Sequence, residues 1–156
     1  MTGFRWGIKL LGIQLFFIFI VWLSSYFPGM DVFFALFYVA AAAKAGQTIA
    51  RISGESSPFA NLLAAGIIAQ LPGFFLGAVN LLYYAGYGFI SEDFSFVFQI
   101  WHTPFLPFLS FFPFSLADGY AFYFAALFVL SPLYAVILFL PWLLELGVRK
   151  RRQQML

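Results

Sequence analysis

The sequence predicts an all-α integral membrane protein: four transmembrane helices, N-in/C-in, with a Pro/Phe-rich interfacial or re-entrant segment on the outer face. Three observations carry this. The 156 residues are 63% hydrophobic and only 9% charged, with mean hydropathy +0.94, whereas a soluble domain carries roughly 25% charged residues. The apolar residues fall into long runs, and a bilayer core needs about 20 of them in helix. The charges are also unevenly placed along the chain, which sets orientation.

The first span covers about 6–27 and is closed by Pro28-Gly29. Arg5 and Lys9 ahead of the apolar run resemble the opening of a signal peptide. The run is long, and Ser24-Ser25-Tyr26 lacks a small-x-small cleavage pattern, so an uncleaved signal anchor is expected. The second span covers 31–50 and ends in a polar stretch from Arg51 to Pro58. The third covers 59–90, longer than one straight crossing needs, and Pro72-Gly73 predicts a kink or break at 72–73. The fourth covers 119–146 and contains Pro132 and Pro141.

The segment 91–118 is apolar enough to cross, yet it holds Pro104, Pro107 and Pro113 as well as Gln99 and His102. Prolines at that spacing break a helix, and lipid does not tolerate unsatisfied backbone. Charge settles the count. With four spans, Arg5, Lys9, Lys44, Arg51 and the run Arg149, Lys150, Arg151 and Arg152 lie on or toward one side. Asp31, Glu92, Asp93 and Asp118 lie on the other. A fifth span would place the C-terminal basic run outside, against the positive-inside rule. Boundary aromatics agree: Trp6 and Trp142 at the inner edge, Trp22, Tyr26, Tyr83, Tyr84 and Tyr87 at the outer. The whole of 1–156 reads as a single membrane domain without an internal repeat.

Small residues recur every four positions: Ala42, Gly46 and Ala50; Ala65, Ala69, Gly73 and Gly77; Ala117, Ala121 and Ala125. Such ladders let helix backbones approach closely, where dispersion replaces the hydrophobic drive that lipid abolishes. They serve packing inside the bundle or a seam for another membrane protein or a second copy. Polar residues inside spans are costly and often functional; here they are Gln14, Lys44, Asn61, Gln70 and Asn80. Lys44 is close enough to the inner boundary to snorkel. Gln70, beside Pro72, forms with Asn80 and Lys44 a candidate substrate or ion path, as broken helices do in transporters. Interhelical hydrogen bonding is the plainer role for Gln70. His102, next to Trp101, is expected to stack or to bond headgroups.

Several chemistries are excluded or unsupported. The absence of cysteine rules out disulfides and thiolate-held clusters, and one histidine rules out a bis-histidine haem. No metal-ligand spacing, P-loop or dinucleotide fingerprint occurs, and neither metal nor cofactor is expected. The basic run Arg149–Arg152 reads as a topology anchor contacting anionic lipid, not as a nucleic-acid site. The stretches Gly77-Ala78-Val79-Asn80-Leu81-Leu82 and Phe112-Pro113-Phe114-Ser115-Leu116-Ala117-Asp118 resemble the two aspartate motifs of the lipoprotein signal peptidase family, a four-span protease. Tyr83 stands where the first catalytic aspartate belongs, and Ser115 replaces the family's asparagine. The resemblance therefore implies no dyad and leaves Asp118 as the single catalytic candidate, with Asp93 or Asp31 as its only available partners.

The reading that follows is an accessory or structural subunit of a larger complex in the plasma membrane, prokaryotic by its N-terminal anchor. The alternatives are an oligomeric transporter or channel component and an outer-face aspartyl-type hydrolase.

Overall fold

The computed structural model describes residues 2–53, 57–84, 93–111 and 119–154; the side chains of 84, 119–125 and 148–154 lie outside that description. The elements are α1 (Thr2–Ser24), α2 (Met30–Ile52), α3 (Pro58–Tyr84), α4 (Asp93–Trp101), a 3-10 turn (Thr103–Phe105), α5 (Leu106–Leu109) and α6 (Gly119–Gln154). Four stretches, Thr2–Ser24, Met30–Ile52, Pro58–Tyr83 and Ala126–Gly147, are long and apolar enough to cross a membrane.

Local chemistry sets the first turn. Ser24 and Ser25 donate their hydroxyls to the Val21 and Trp22 carbonyls, at 2.9 and 2.7 Å, carbonyls that also accept the Ser25 backbone N–H at the end of α1. Gly29 then takes φ +80°, a left-handed conformation that side chains disfavour, and α2 starts from it. At the opposite end Asn61 ties three helices together. Its Oδ1 accepts from the Gly3 N–H of α1 at 3.0 Å, and its Nδ2 donates to Ser53 Oγ just beyond α2, also at 3.0 Å.

The four long helices form an up-down-up-down bundle in which α1 and α6 each pack on α2 and α3. Residue pairings give the directions. Gly7 meets Ile68, so α1 and α3 run parallel; Gly46 meets Leu138 and Arg51 bridges Glu145 at 3.2 Å, so α2 and α6 run parallel. Gly77 meets Phe128 and Gly66 meets Leu138, so α3 and α6 are antiparallel. The starts of α1 and α3 and the ends of α2 and α6 therefore share one end of the bundle.

Close approach relies on glycine at a few positions. A Cβ on Gly46 would lie 2.1 Å from the Leu138 carbonyl oxygen, a backbone atom that cannot swing away. A Cβ on Gly7 would lie 2.6 Å from Ile68 Cβ. Ala42, Ala65 and Ala69 on the neighbouring ladder positions are fully buried, and Ala50 is nearly so. Dispersion between closely approached backbones holds these seams, because lipid is as apolar as the side chains it would displace.

One expectation needs correction. No break occurs at 72–73: α3 continues as helix through Pro72. Likewise α6 passes through Pro132 and Pro141 and runs to Gln154, and its apolar stretch ends at Gly147. Each proline removes one donor, but tertiary packing on both flanks holds the helix. Residues 85–92, which hold the expected end of the third span, lie outside the described residues.

The segment after α3 packs into the bundle. Ser95 at its start bonds Asn80, near the end of α3, at 3.2 Å. Descending α4 sets Phe98 against Gly77 and Trp101 against Gly73, and the 3-10 turn then sets Phe105 against Tyr38 of α2, ring centroids 5.2 Å apart. Residues 93–109 thus form a short hairpin whose tip reaches the middle of the long helices.

Gly46→Ala should lower stability by about 2 kcal/mol, the scale of overpacking a fixed backbone contact. Gly12→Ala, where nothing lies within 4 Å, should be neutral or slightly stabilising. Unfolding midpoints in mixed detergent micelles of graded SDS content check both.

Candidate functional site: a buried polar junction

The hairpin tip meets polar side chains from all four long helices. Gln14 (α1), Gln70 (α3) and His102 are each 1% exposed, Ser131 (α6) is 2% exposed, and Tyr38 (α2) is fully buried. Gln14, Tyr38, Gln70 and Ser131 are held within the long helices and His102 in the hairpin turn, where no water supplies partners, so each must find one within the protein.

Gln14 is the hub. Its Nε2 donates to the Trp101 main-chain carbonyl at 2.8 Å. That carbonyl lies at the end of α4, where helical partners run out. Its Oε1 accepts from the Tyr38 hydroxyl and from Gln70 Nε2, the latter at 3.5 Å. Gln70 Oε1 in turn accepts from the Trp101 indole Nε1 at 3.2 Å. Two side-chain amides thus grip one tryptophan by its backbone and by its ring.

His102 closes the other side. Its Nδ1 is 3.0 Å from the Phe98 carbonyl oxygen and its Nε2 is 3.1 Å from Ser131 Oγ. A carbonyl only accepts, so Nδ1 carries the hydrogen, and Nε2 of the neutral ring accepts the Ser131 hydroxyl. Phe98 packs edge-on to the imidazole at 4.7 Å between centroids. The expectation of a stacked or headgroup-bonded histidine is corrected in its second half: the ring bonds Ser131 inside the bundle, and its burial leaves headgroups out of reach.

Gly73 makes room for this arrangement. A Cβ there would lie 2.7 Å from both Ser131 Oγ and Trp101 Nε1. Gly77, one turn on, would meet Phe128 at 2.9 Å. The ladder Ala65, Ala69, Gly73, Gly77 therefore divides by partner, its first half near α1 and its second half receiving the hairpin and α6.

The three residues expected to line a path sit in three places. Gln70 belongs to the junction. Asn80 lies near the end of α3, where its Oδ1 accepts from Ser95 and its buried Nδ2 has no hydrogen-bond partner among the described residues. Lys44 is exposed, its Nζ 3.4 Å from Gln47 Oε1, while Gln47 and Arg51 both bond Glu145 at the bundle's basic end. Asp118 lies outside the described residues; Arg149, Lys150, Arg151 and Arg152 are helical, with side chains outside that description.

Chemically, the junction holds amides, hydroxyls, an indole and one imidazole, and no carboxylate or cation. Ser131 and His102 have the spacing of a nucleophile and its base. Their burial leaves no approach for a substrate, so hydrogen-bonded locking is what this geometry does. No cluster of three His, Cys, Asp or Glu side chains occurs among the described residues. Tyr134, stacked on Tyr38 at 6.0 Å, ends in a buried hydroxyl that closes no hydrogen bond of ordinary geometry.

Sequence reasoning missed Tyr38, Trp101 and Ser131. One signal was present: Tyr38 stands in mid-span, unlike the tyrosines at the span edges.

The chain matches no protein-family model, no curated protein and no solved structure. The likeness of 77–82 and 112–118 to lipoprotein signal peptidases accordingly carries no argument.

Gln70→Leu and Ser131→Ala should each cost about 1–3 kcal/mol, because each strands a buried partner, Trp101 Nε1 or His102 Nε2. Gln14→Leu should cost more, since it strands groups on three elements, the Tyr38 hydroxyl, Gln70 Nε2 and the Trp101 carbonyl. SDS unfolding gives the energies; hydrogen exchange should rise first in 93–109 if the junction is what holds the hairpin.

Proposed function

We propose that this chain is an accessory subunit, a small scaffold that binds and stabilises a larger complex in the plasma membrane and performs no chemistry of its own. The observation that carries the reading is how the buried polar groups are used. Gln14, Tyr38, Gln70, Trp101, His102 and Ser131 bond one another or the hairpin backbone, so they serve rigidity. The outward surface, by contrast, is apolar and aromatic, with Phe16, Phe33, Phe37 and Phe75 each more than 45% exposed by values of 58%, 49%, 52% and 62%. Such a surface suits lipid and partner helices alike.

In this reading Arg5, Lys9 and Arg51 mark the cytoplasmic end and both termini lie there. The hairpin then enters from the outer face and returns to it, its tip held in the bilayer by the junction. Irregular backbone at that depth is permitted because protein surrounds it. The basic run Arg149–Arg152 contacts anionic headgroups.

A second reading, an oligomeric transporter or channel component, draws on one buried polar atom, Asn80 Nδ2, that finds no hydrogen-bond partner among the described residues. Gln70 and Lys44 argue against a shared path, since they lie apart.

Purification of the tagged chain in mild detergent at native expression should yield a second membrane polypeptide in fixed stoichiometry. Deleting the chain should lower that partner's abundance. A chain that elutes alone or only with itself overturns the accessory reading. Loss of solute uptake in folded Asn80→Leu would establish the second.

A further inference from the structure

Between α1 and α4 runs a groove of about 490 Å³, within the range of small-ligand sites. Its walls include Ile18, Phe19 and Trp22 on α1 and Phe96 on α4. Two polar residues, Gln99 and Thr103, interrupt this lining. Thr103 directly follows the hairpin tip residues Trp101 and His102, so it stands at the depth of the junction; Gln99 stands about one turn, roughly 5 Å, nearer the end marked by Trp22.

These two differ from the junction residues. Both are half-buried, and among the described residues neither side chain makes a hydrogen bond. An amide and a hydroxyl facing hydrocarbon without partners are costly, and in membrane proteins such residues mark binding sites. An ordinary acyl chain offers them nothing. A water there would want two to four polar partners in an enclosure, and the groove supplies two at an open flank. Among the described residues no charged side chain lines the groove, so a phosphate or ammonium group finds no counterpart among them.

We propose that this groove binds a neutral membrane-soluble amphiphile: a hydrocarbon body carrying a hydroxyl or carbonyl. The body lies against Phe19, Trp22 and Phe96, and its oxygen meets Gln99 and Thr103. Gln99 has both donor and acceptor atoms and Thr103 a hydroxyl, so together they serve either kind of oxygen. The inference rests on the four spans and holds whether or not the chain is an accessory subunit.

The test uses the full chain in vesicles of dioleoylphosphatidylcholine with two photoactivatable probes. One is a long-chain primary alcohol bearing a diazirine and an alkyne; the other is the matched hydrocarbon without the hydroxyl. The alcohol should label peptides covering 15–22 and 96–106 in preference to the hydrocarbon. Gln99→Leu and Thr103→Val should each reduce that labelling about fivefold, one net hydrogen bond's worth, while Thr103→Ser retains it. Labelling at exposed Phe33 and Phe37 should stay constant and report an intact fold. Equal groove labelling by both probes, or alcohol labelling indifferent to Gln99→Leu and Thr103→Val, makes the groove ordinary lipid-facing surface and overturns the proposal. An unlabelled groove overturns it as well, since protein then fills the space.

Discussion

The carboxamide of Gln14 is the group on which the interior depends. It accepts from α2 through Tyr38 and from α3 through Gln70, and it donates to the Trp101 carbonyl of the hairpin. Hydrocarbon explains its weight. In water the end of a short helix leaves its last carbonyls to solvent at little cost, whereas at mid-depth a protein donor must be brought to each. Burying an amide to supply that donor obliges the amide's other atoms to be satisfied too. The chain meets this obligation by routing the same few groups through one node, so the hairpin's presence and the four-helix packing are parts of a single arrangement.

Steric provision accompanies the polar one. Gly73 leaves the space that Ser131 Oγ and Trp101 Nε1 occupy, and Gly46 lets α2 and α6 touch through backbone. The first is a consequence of the hairpin and the second of the bundle. A small-residue ladder in sequence does not distinguish them, because spacing records a helix face and not what that face receives.

That distinction bounds what was legible beforehand. The four apolar helices were readable because a span announces itself locally, by length and composition. The hairpin's burial was not. Its helix carries a charged residue at the start and is followed by two prolines, as an interfacial segment would be. The residue that draws it inward, Gln14, lies 87 positions away. Pro72 does not break α3: a proline removes one hydrogen bond, and packing on either side keeps the chain helical. Of the candidate site, Gln70 was visible as a polar residue inside a span, and it bonds Gln14 and Trp101 across helices. Its partners Trp101 and Tyr38 carry boundary chemistry elsewhere in the chain, and composition alone offers no reason to move them to the centre.

The separation of Gln14 from Trp101 also has a meaning in time. Synthesis at roughly 5–20 residues per second puts about 4–17 seconds between the two. Through that interval an amide already threaded into the bilayer lacks the acceptor that will finally hold it. Tyr38 arrives first, on the neighbouring helix, and engages the amide's oxygen; the nitrogen waits for the hairpin. The order of emergence along the chain is the order in which partners become available: Tyr38 on the second helix, Gln70 on the third, the hairpin next, and Ser131 for His102 last.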